Sequence, residues 1–364
     1  MNKKTQNEIR IALLGTVGVP SCYGGFETLA ENLVNYHSSN ICDASLTVWC
    51  SRKDNIKHPN CFKSAKLRYV NLRANGIQSI LYDALSLFQA IMTGHNRILL
   101  LGTSGALTIP IIRLISRVRI ITNVDGLEWK REKWRGLARI VLRASEWAAV
   151  RFSHEVIADN TAIALYLRDS YGINCQVIEY GGDHTLASDK QSEAPEGLPN
   201  SYALALCRIE PENNVQMILE AWKKLDIPLV FVGNWNHSSY SKKIRELFSR
   251  EPNLYLIDQV YNPRTLKALR NNAMFYVHGH SAGGTNPSLV EMMHFGVPIF
   301  AHGCVFNRHS TEGKARYFLT SDELNHSINT ITPTEAESIA ANMLEIAQRR
   351  YVWSKIGKAY FALF

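Results

Sequence analysis

Short apolar runs alternate with longer amphipathic stretches along almost the whole chain, and no other feature narrows the choice of fold as much. IRIALLG (9–15), SLTVWC (45–50), LRYVNL (67–72), RILLLG (97–102), RIITNV (119–124) and HEVIAD (154–159) read as strands. Helical patterns such as FETLAENLVNYH and QSILYDALSLFQAIM lie between them. This alternation predicts βαβ units and a parallel sheet covered on both faces. Over 181–200 it breaks into GGDHTLASDKQSEAPEGLPN, a stretch with linker composition. It restarts with SYALALC (201–207), LVFVG (229–233), NLYLID (253–258), MFYVHG (274–279) and VPIFA (297–301). The expectation is one α/β domain over 1–180, a linker over 181–200 and a second domain over 201–345. A last helix over 346–364 is expected to pack back on the first domain, and 364 residues are enough for two domains.

Charge is uneven. Lys+Arg 40 against Asp+Glu 32 gives +8. Between Arg113 and Arg151 ten basic residues face four acidic ones, so +6 of the surplus is local. A basic surplus suits nucleic acid, an anionic membrane or a phosphorylated substrate. No nucleic-acid-binding module accompanies it, so that partner is not expected. The apolar run between Arg97 and Arg113 is shorter than the roughly 20 residues of a spanning helix. The N-terminus reads as a first strand rather than a signal peptide. Seven scattered cysteines without a C-x-x-C pair fit reduced thiols. These features predict a soluble, cytoplasmic protein.

In open α/β sheets ligands bind beyond the carboxyl ends of the strands, so the informative residues should follow strands, with the cleft between two such domains as the default active site. After the first strand, GTVGVPSCYGGFETLAENL carries Gly15, Gly18, Gly24 and Gly25. It has no intact G-x-G-x-x-G, and its glycines suit either a phosphate or sugar held at backbone N–H groups or chain geometry alone. HGHSAGGTNPSLVEMMHFGVP is sharper: Gly283, Gly284, Thr285 and Asn286 precede a helix whose first turn suits Pro287. Glu291, about one turn in, suits either ribose hydroxyls or a solvated helix face. Asp125 follows another strand, where a reacting hydroxyl can be held, and Gly126 lets a substrate approach the backbone. Arg135, Arg139 and Arg143 recur every four residues, a basic stripe suited to an anionic membrane or simply to solvent. His278, His280, His294, His302 and His309 cluster, but without metal-ligand spacing. His280, which opens the loop, is the candidate for a hydrogen bond to substrate.

Taken together these segments, with VDGLEWKREKW, IADNTAIALYL, EYGGDH and CRIEPENNVQMILEAW, resemble a GT-B glycosyltransferase of the large retaining family (family 4), in its bacterial rhamnosyltransferase-like branch. The resemblance spans nearly the whole chain. It implies two Rossmann-like domains with parallel sheets facing across a cleft, the N-terminal one on the acceptor side and the C-terminal one binding a nucleotide sugar. It places Gly283, Gly284, Thr285 and Asn286 near the donor's sugar and phosphates, Glu291 near its ribose and Arg208 on its diphosphate. Gly15 and Gly18 fall on the donor side of the N-terminal loop, and Tyr23, Gly24, Gly25 and Glu27 on the acceptor side. Asp125, Arg208 and His280 are the catalytic candidates.

Two positions depart from the wider family. Gly283 replaces the first Glu of a Glu-x7-Glu pair, and Asn213 replaces a lysine five residues after Arg208. The implied reaction moves a sugar, first of all rhamnose from dTDP-rhamnose, to a glycan acceptor with retention, in capsule, O-antigen (lipopolysaccharide) or exopolysaccharide synthesis. The implied acceptor is an undecaprenyl-diphosphate-linked saccharide at the cytoplasmic face of the inner membrane, with no metal or other cofactor required. A nucleotide-sugar epimerase of the same fold and a non-catalytic sugar-nucleotide-binding partner are the alternatives.

Overall fold

The computed structural model describes residues 8–21, 24–41, 43–55, 57–76, 78–127, 129, 136–187 and 194–364. The chain divides into two compact units, Met1–Glu179 with Trp353–Phe364, and Tyr180–Val352.

All six apolar runs expected in the first half form strands, and two further short strands join them. In chain order they are β1 (Ile9–Leu14), β2 (Ala44–Ser51), β3 (Cys61–Phe62), β4 (Ala65–Val70), β5 (Arg97–Leu101), β6 (Arg119–Val124), β7 (Glu155–Ala158) and β8 (Gln176–Val177). The sheet order is β3-β4-β2-β1-β5-β6-β7-β8. Every pair is parallel except β3–β4. The helices are α1 (Gly25–Asn40), α2 (Gln78–Met92), α3 (Ile109–Ile115), α4 (Leu137–Phe152) and α5 (Thr161–Tyr171). Because β1 and β5 are buried along most of their length, their sequences run apolar instead of alternating. Trp49, Tyr82, Leu14, Leu100 and Ile120 share one core with the inner faces of α2, α3 and α4.

The second unit repeats the plan with β9 (Tyr202–Leu206), α6 (Val215–Trp222), β10 (Leu229–Val232), α7 (Ser239–Phe248), β11 (Leu254–Ile257), α8 (Pro263–Asn271), β12 (Ala273–His278), α9 (Pro287–Met293), β13 (Ile299–His302), α10 (Val305–Ser310), β14 (Arg316–Phe318), α11 (Ser321–Thr330) and α12 (Pro333–Arg350). Its order is β11-β10-β9-β12-β13-β14, and every pair is parallel. Trp222, Trp235, Phe231 and Phe300 centre its core. The segment after Glu179 packs within this unit. Gly182 N–H donates to Tyr351 O at 2.9 Å, and a Cβ on Gly182 would lie 2.7 Å from Val290 O of α9. A short 3-10 turn, Asp183–Leu186, follows.

The last helix, α13 (Trp353–Phe361), belongs to the first unit. Phe361 stacks on Tyr36 of α1 with centroids 5.7 Å apart. Gly357 makes room for that contact, since a Cβ there would sit 2.3 Å from the Tyr36 ring. Asn123 Nδ2 donates to Tyr360 Oη at 2.6 Å, and Arg97 Nε to Phe364 O at 2.9 Å. Among the described residues no helix is long and apolar enough to cross a membrane.

Both sheets share one topological property. In each, the chain builds outward in one direction from the first strand and then crosses to the other side of it. The reversal falls between β1 and β5 in the first unit and between β9 and β12 in the second. At such a point two neighbouring loops diverge above the sheet, leaving a crevice for ligands.

Candidate functional site

In the second unit the loops at the switch point are stitched together by asparagine and serine side chains, of which the sequence singled out Asn213 alone, and as a missing lysine. Asn213, buried, donates from Nδ2 to Arg208 O at 2.7 Å. Asn214, at φ 51°, donates from Nδ2 to Gly279 O at 2.8 Å. Ser281 N–H and Oγ both donate to Glu212 O, at 3.0 and 2.8 Å. Gly279 is glycine because a Cβ would lie 2.3 Å from Asn213 O. Helix α10, which follows β13, joins them: Asn307 Nδ2 donates to His280 O at 2.8 Å and to His302 O at 2.9 Å. Asn213, standing where a lysine was looked for, therefore supplies position instead of charge. It fixes the backbone that carries Arg208, whose exposed guanidinium lies 3.6 Å from Glu210.

The histidines divide sharply. His278 ends β12, is 1% exposed and stacks on His280 with centroids 4.3 Å apart. Neither ring nitrogen of His278 has a hydrogen-bond partner. Burial, reinforced by nearby His302, drives its pKa down to about 3, so at neutral pH it is an uncharged donor and acceptor. Burial also lowers His302. His294 lies elsewhere, with Nε2 2.9 Å from Tyr351 O. Among the described residues no three His, Cys, Asp or Glu side chains gather as metal ligands. The sequence reading chose His280 and passed over His278. The signal was there, because Tyr276, His278 and His280 follow the two-residue period of one strand face.

The loop before α9 is used more by the protein than expected. Asn286 caps the helix, its Oδ1 accepting from Ser288 N–H at 3.2 Å and Ser288 Oγ at 2.9 Å. Thr285 is buried. Gly283 has φ 117°, and a Cβ added there would meet nothing within 4 Å, so only its backbone conformation demands glycine. Gly284 follows in the same half-buried loop. Glu291 is not on a solvated face. It is buried, pairs closely with the buried Arg270, and has His184 Nε2 3.5 Å away.

In the first unit the equivalent loop is closed on itself. Glu27 is buried, and its Oε1 accepts from Val17 N–H at 2.7 Å and from Thr16 Oγ1 at 3.1 Å. Gly15 (φ 84°) abuts β5, where a Cβ would lie 2.0 Å from Leu101 O. Gly18 abuts Cys50, with 2.8 Å from a Cβ to Sγ, and Gly24 abuts Glu27 Oε2, at 2.3 Å. Gly25 opens α1. Three of the four glycines in this loop thus have their open side filled by protein. The other flank is held by Asp83 of α2, which is buried and bonded by Gly105 N–H and the Ser104 side chain.

Asp125 is half-buried one residue beyond β6. With Asp159 it faces Tyr360, whose hydroxyl is held far above its ordinary pKa by burial first and by these carboxylates next. Of the basic stripe, Arg139 and Arg143 place their guanidinium groups 5.5 and 5.3 Å from the Trp129 ring centre. Tyr23 and Arg135 lie outside the described residues.

Two Rossmann-ordered units in one chain, each with its loops gathered at a switch point, match the GT-B fold of the solved structures that follow. The chain is similar to sucrose-phosphate synthase from Thermosynechococcus elongatus, with TM-score 0.78 and 14% identity over 98% of both chains. It is similar to Anabaena HepE, solved with UDP and glucose, with TM-score 0.72 and 16% identity over 98% of this chain and 99% of that one. A glycosyltransferase from Rickettsia africae gives TM-score 0.69 and 12% identity over 98% of each chain. At these identities the likeness is one of fold. Residues 188–332 match the family described as glycosyl transferases group 1, and residues 9–183 match one described as a domain of unknown function (DUF1972). No curated protein matches in sequence. The group 1 match and the fold together support a glycosyltransferase.

Proposed function

We propose that the chain moves a sugar from a nucleoside-diphosphate donor to a hydroxyl of a lipid-linked saccharide, with retention, in bacterial surface polysaccharide synthesis. One observation carries this reading. Arg208 and the segment His278–Asn286 flank the switch point of the unit whose sequence matches the group 1 glycosyl transferases. As the anomeric C–O bond breaks, negative charge grows on the departing diphosphate, and a fixed cation stabilises it without reorganisation. Arg208 is that cation. His278, uncharged, donates or accepts a hydrogen bond from a sugar hydroxyl, with His280 stacked beside it. The new C–O bond forms on the same face, and the acceptor's proton passes to the departing phosphate oxygen. Asp125 is the first unit's residue for the acceptor hydroxyl. Rhamnose carried on dTDP is the first-choice donor; the UDP-glucose bound by HepE makes UDP-glucose the second.

The test is a thermal-shift panel of dTDP-rhamnose, UDP-glucose and GDP-mannose, since a ligand that binds only the folded state raises its melting temperature. dTDP-rhamnose should give the largest rise, Arg208→Ala should abolish it, and an undecaprenyl-diphosphate-linked acceptor should then release dTDP. Absence of a shift with every donor rejects the reading. Conversion of the sugar nucleotide without acceptor replaces it with an epimerase.

A further inference from the structure

Helices α2, α3 and α4 and the 3-10 turn Ala106–Thr108 pack side by side over one core of the first unit. Their outer faces are unlike the rest of the surface. Of the seventeen large apolar side chains exposed among the described residues, ten lie on these four elements. Leu114 is 86% exposed, Leu137 79%, Ile140 66% and Ile115 63%, while half of Trp147 is open to solvent. Such a concentration on neighbouring elements marks an interaction surface, whereas single exposed apolar residues do not.

The charge on this face names its occupant. Arg113, Arg117, Arg139, Arg143 and Arg151 are all exposed. The four elements contain two carboxylates, Asp83 and Glu146, and both are buried. Among the described residues these four elements are therefore apolar and cationic, with no exposed acid. A two-fold partner of the same chain would set arginine against arginine, whereas an anionic bilayer offers acyl boundary and phosphate together.

Beside α4 the face holds an open hollow of about 590 Å³, walled by Trp129, Ile140, Arg143, Trp147, Tyr166 and Tyr171. Glu146 organises its floor, accepting from Trp129 Nε1 at 3.1 Å and from the hydroxyls of Tyr166 and Tyr171 at 2.7 Å each. Their polar edges are thereby turned to the carboxylate. Arg139 and Arg143 over Trp129 add two cations that pair with no carboxylate among the described residues.

We propose that this face docks the first unit on an anionic lipid bilayer, with the leucine, isoleucine and tryptophan side chains at the acyl boundary. Arg139 and Arg143 engage lipid phosphates at the mouth of the aromatic hollow. The proposal deepens the reading above and rests on it only for why a membrane-borne acceptor is useful to the chain.

The full chain is sedimented with phosphatidylcholine vesicles and with vesicles in which three lipids in ten are phosphatidylglycerol. Wild type should bind the second and not the first. Arg139→Gln/Arg143→Gln should weaken binding roughly 25-fold, from about five-fold per arginine near an anionic surface. Leu114→Gln/Leu137→Gln/Ile140→Gln should weaken it at least ten-fold, while Lys242→Gln/Lys243→Gln in α7 should leave it unchanged. All these side chains are exposed, so melting temperatures should hold. Equal binding to both vesicle types, or full binding by either face variant, overturns the proposal. A concentration-dependent dimer that the leucine variant abolishes, without vesicle binding by wild type, assigns the face to a second copy instead. The nucleotide-sugar shift is measured on the same proteins. Vesicle binding without that shift keeps the docking face and rejects the transferase reading, and the reverse result does the opposite.

Discussion

In the first unit the loop after β1 is closed by the helix that follows it, because Glu27 of α1 turns back to Val17 N–H and Thr16 Oγ1. In the second unit the loop after β12 receives no such help from α9, where Glu291 pairs with Arg270 and His184 instead. Its neighbours hold it by the backbone, through Asn214, Ser281 and Asn307, and leave the ring nitrogens of His278 unpartnered. Two glycine-rich loops at equivalent switch points thus differ in what remains for a ligand. The first spends its polar groups on itself, and the second keeps a pair of ring nitrogens in reserve. In both units burial makes imidazoles resist gaining a proton, His37 and His95 in the first and His278 in the second, but the first also buries Asp83, a carboxyl that resists losing one.

The largest expected effect breaks the comparison on the alkaline side. Burial raises Asp83 from 3.8 to about 8, despite the donors at Ser104 and Gly105. Between these values the folded chain keeps a proton that the unfolded chain has lost, so stability is present at low pH and falls as pH rises. At about 1.4 kcal/mol per pH unit the loss is on the order of 5 kcal/mol. Melting of the first unit should therefore come earlier at pH 9 than at pH 5, and Asp83→Asn, which keeps the acceptor oxygen, should flatten that slope. An unchanged slope in the variant would show that the group does not govern it.

Next in size is the ion pair of the second unit. Removing one partner of a buried pair strands the other and costs about 3–5 kcal/mol. Glu291→Ala should do so by leaving Arg270 uncompensated, and adding Arg270→Met should recover much of the loss. Equal destabilisation by the single and double variants in urea unfolding would mean that Glu291 acts through packing alone.

How far the sequence reached follows from what each signal encodes. All eleven strand runs were visible because strands buried on both faces leave unbroken apolar segments. β3, β8 and β14, two or three residues each, are too short for any period to register. The switch-point loops are found by position, Arg208 following β9 and His280 following β12, whereas Glu291 is turned to Arg270 and His184. What could not be read was direction. Glu27, Asp83, Glu146 and Glu291 look like any solvated helical carboxylate in a sequence, because their donors come from segments 10 to 25 residues away or more. Asn213 was noticed only as a missing lysine, since its carbonyl partner depends on how the chain turns after β9.

On the acid side the expected effect is smaller. His278, held near pKa 3 against an ordinary 6.5, refuses a proton that the unfolded chain accepts in between. Its contribution is complete above pH 6.5 and is lost as pH falls, by about 3 kcal/mol between pH 7 and pH 4. The second unit should thus weaken under acid, and the first, where burial lowers His37, His95 and His154 in the same direction, should share the trend. His278→Phe should shrink the slope, leaving the part due to His302, at little cost at pH 7, because no hydrogen bond is broken. A variant that melts much earlier at pH 7 would reveal a partner that the structure does not contain.

The finest test compares Gly15→Ala with Gly283→Ala. Both positions have positive φ, which costs an alanine about 1–2 kcal/mol. At Gly15 the added carbon also meets Leu101 O at 2.0 Å, adding an overpacking cost of about 1–3 kcal/mol. At Gly283 it meets nothing within 4 Å. Gly15→Ala should therefore destabilise the first unit about twice as much as Gly283→Ala destabilises the second. The ranking should invert for the thermal shift induced by a nucleotide sugar, because the open side of Gly283 belongs to the loop that is left for a ligand. If both variants lose stability alike and keep the shift alike, the difference between the loops is geometric only, and the second is no more available than the first.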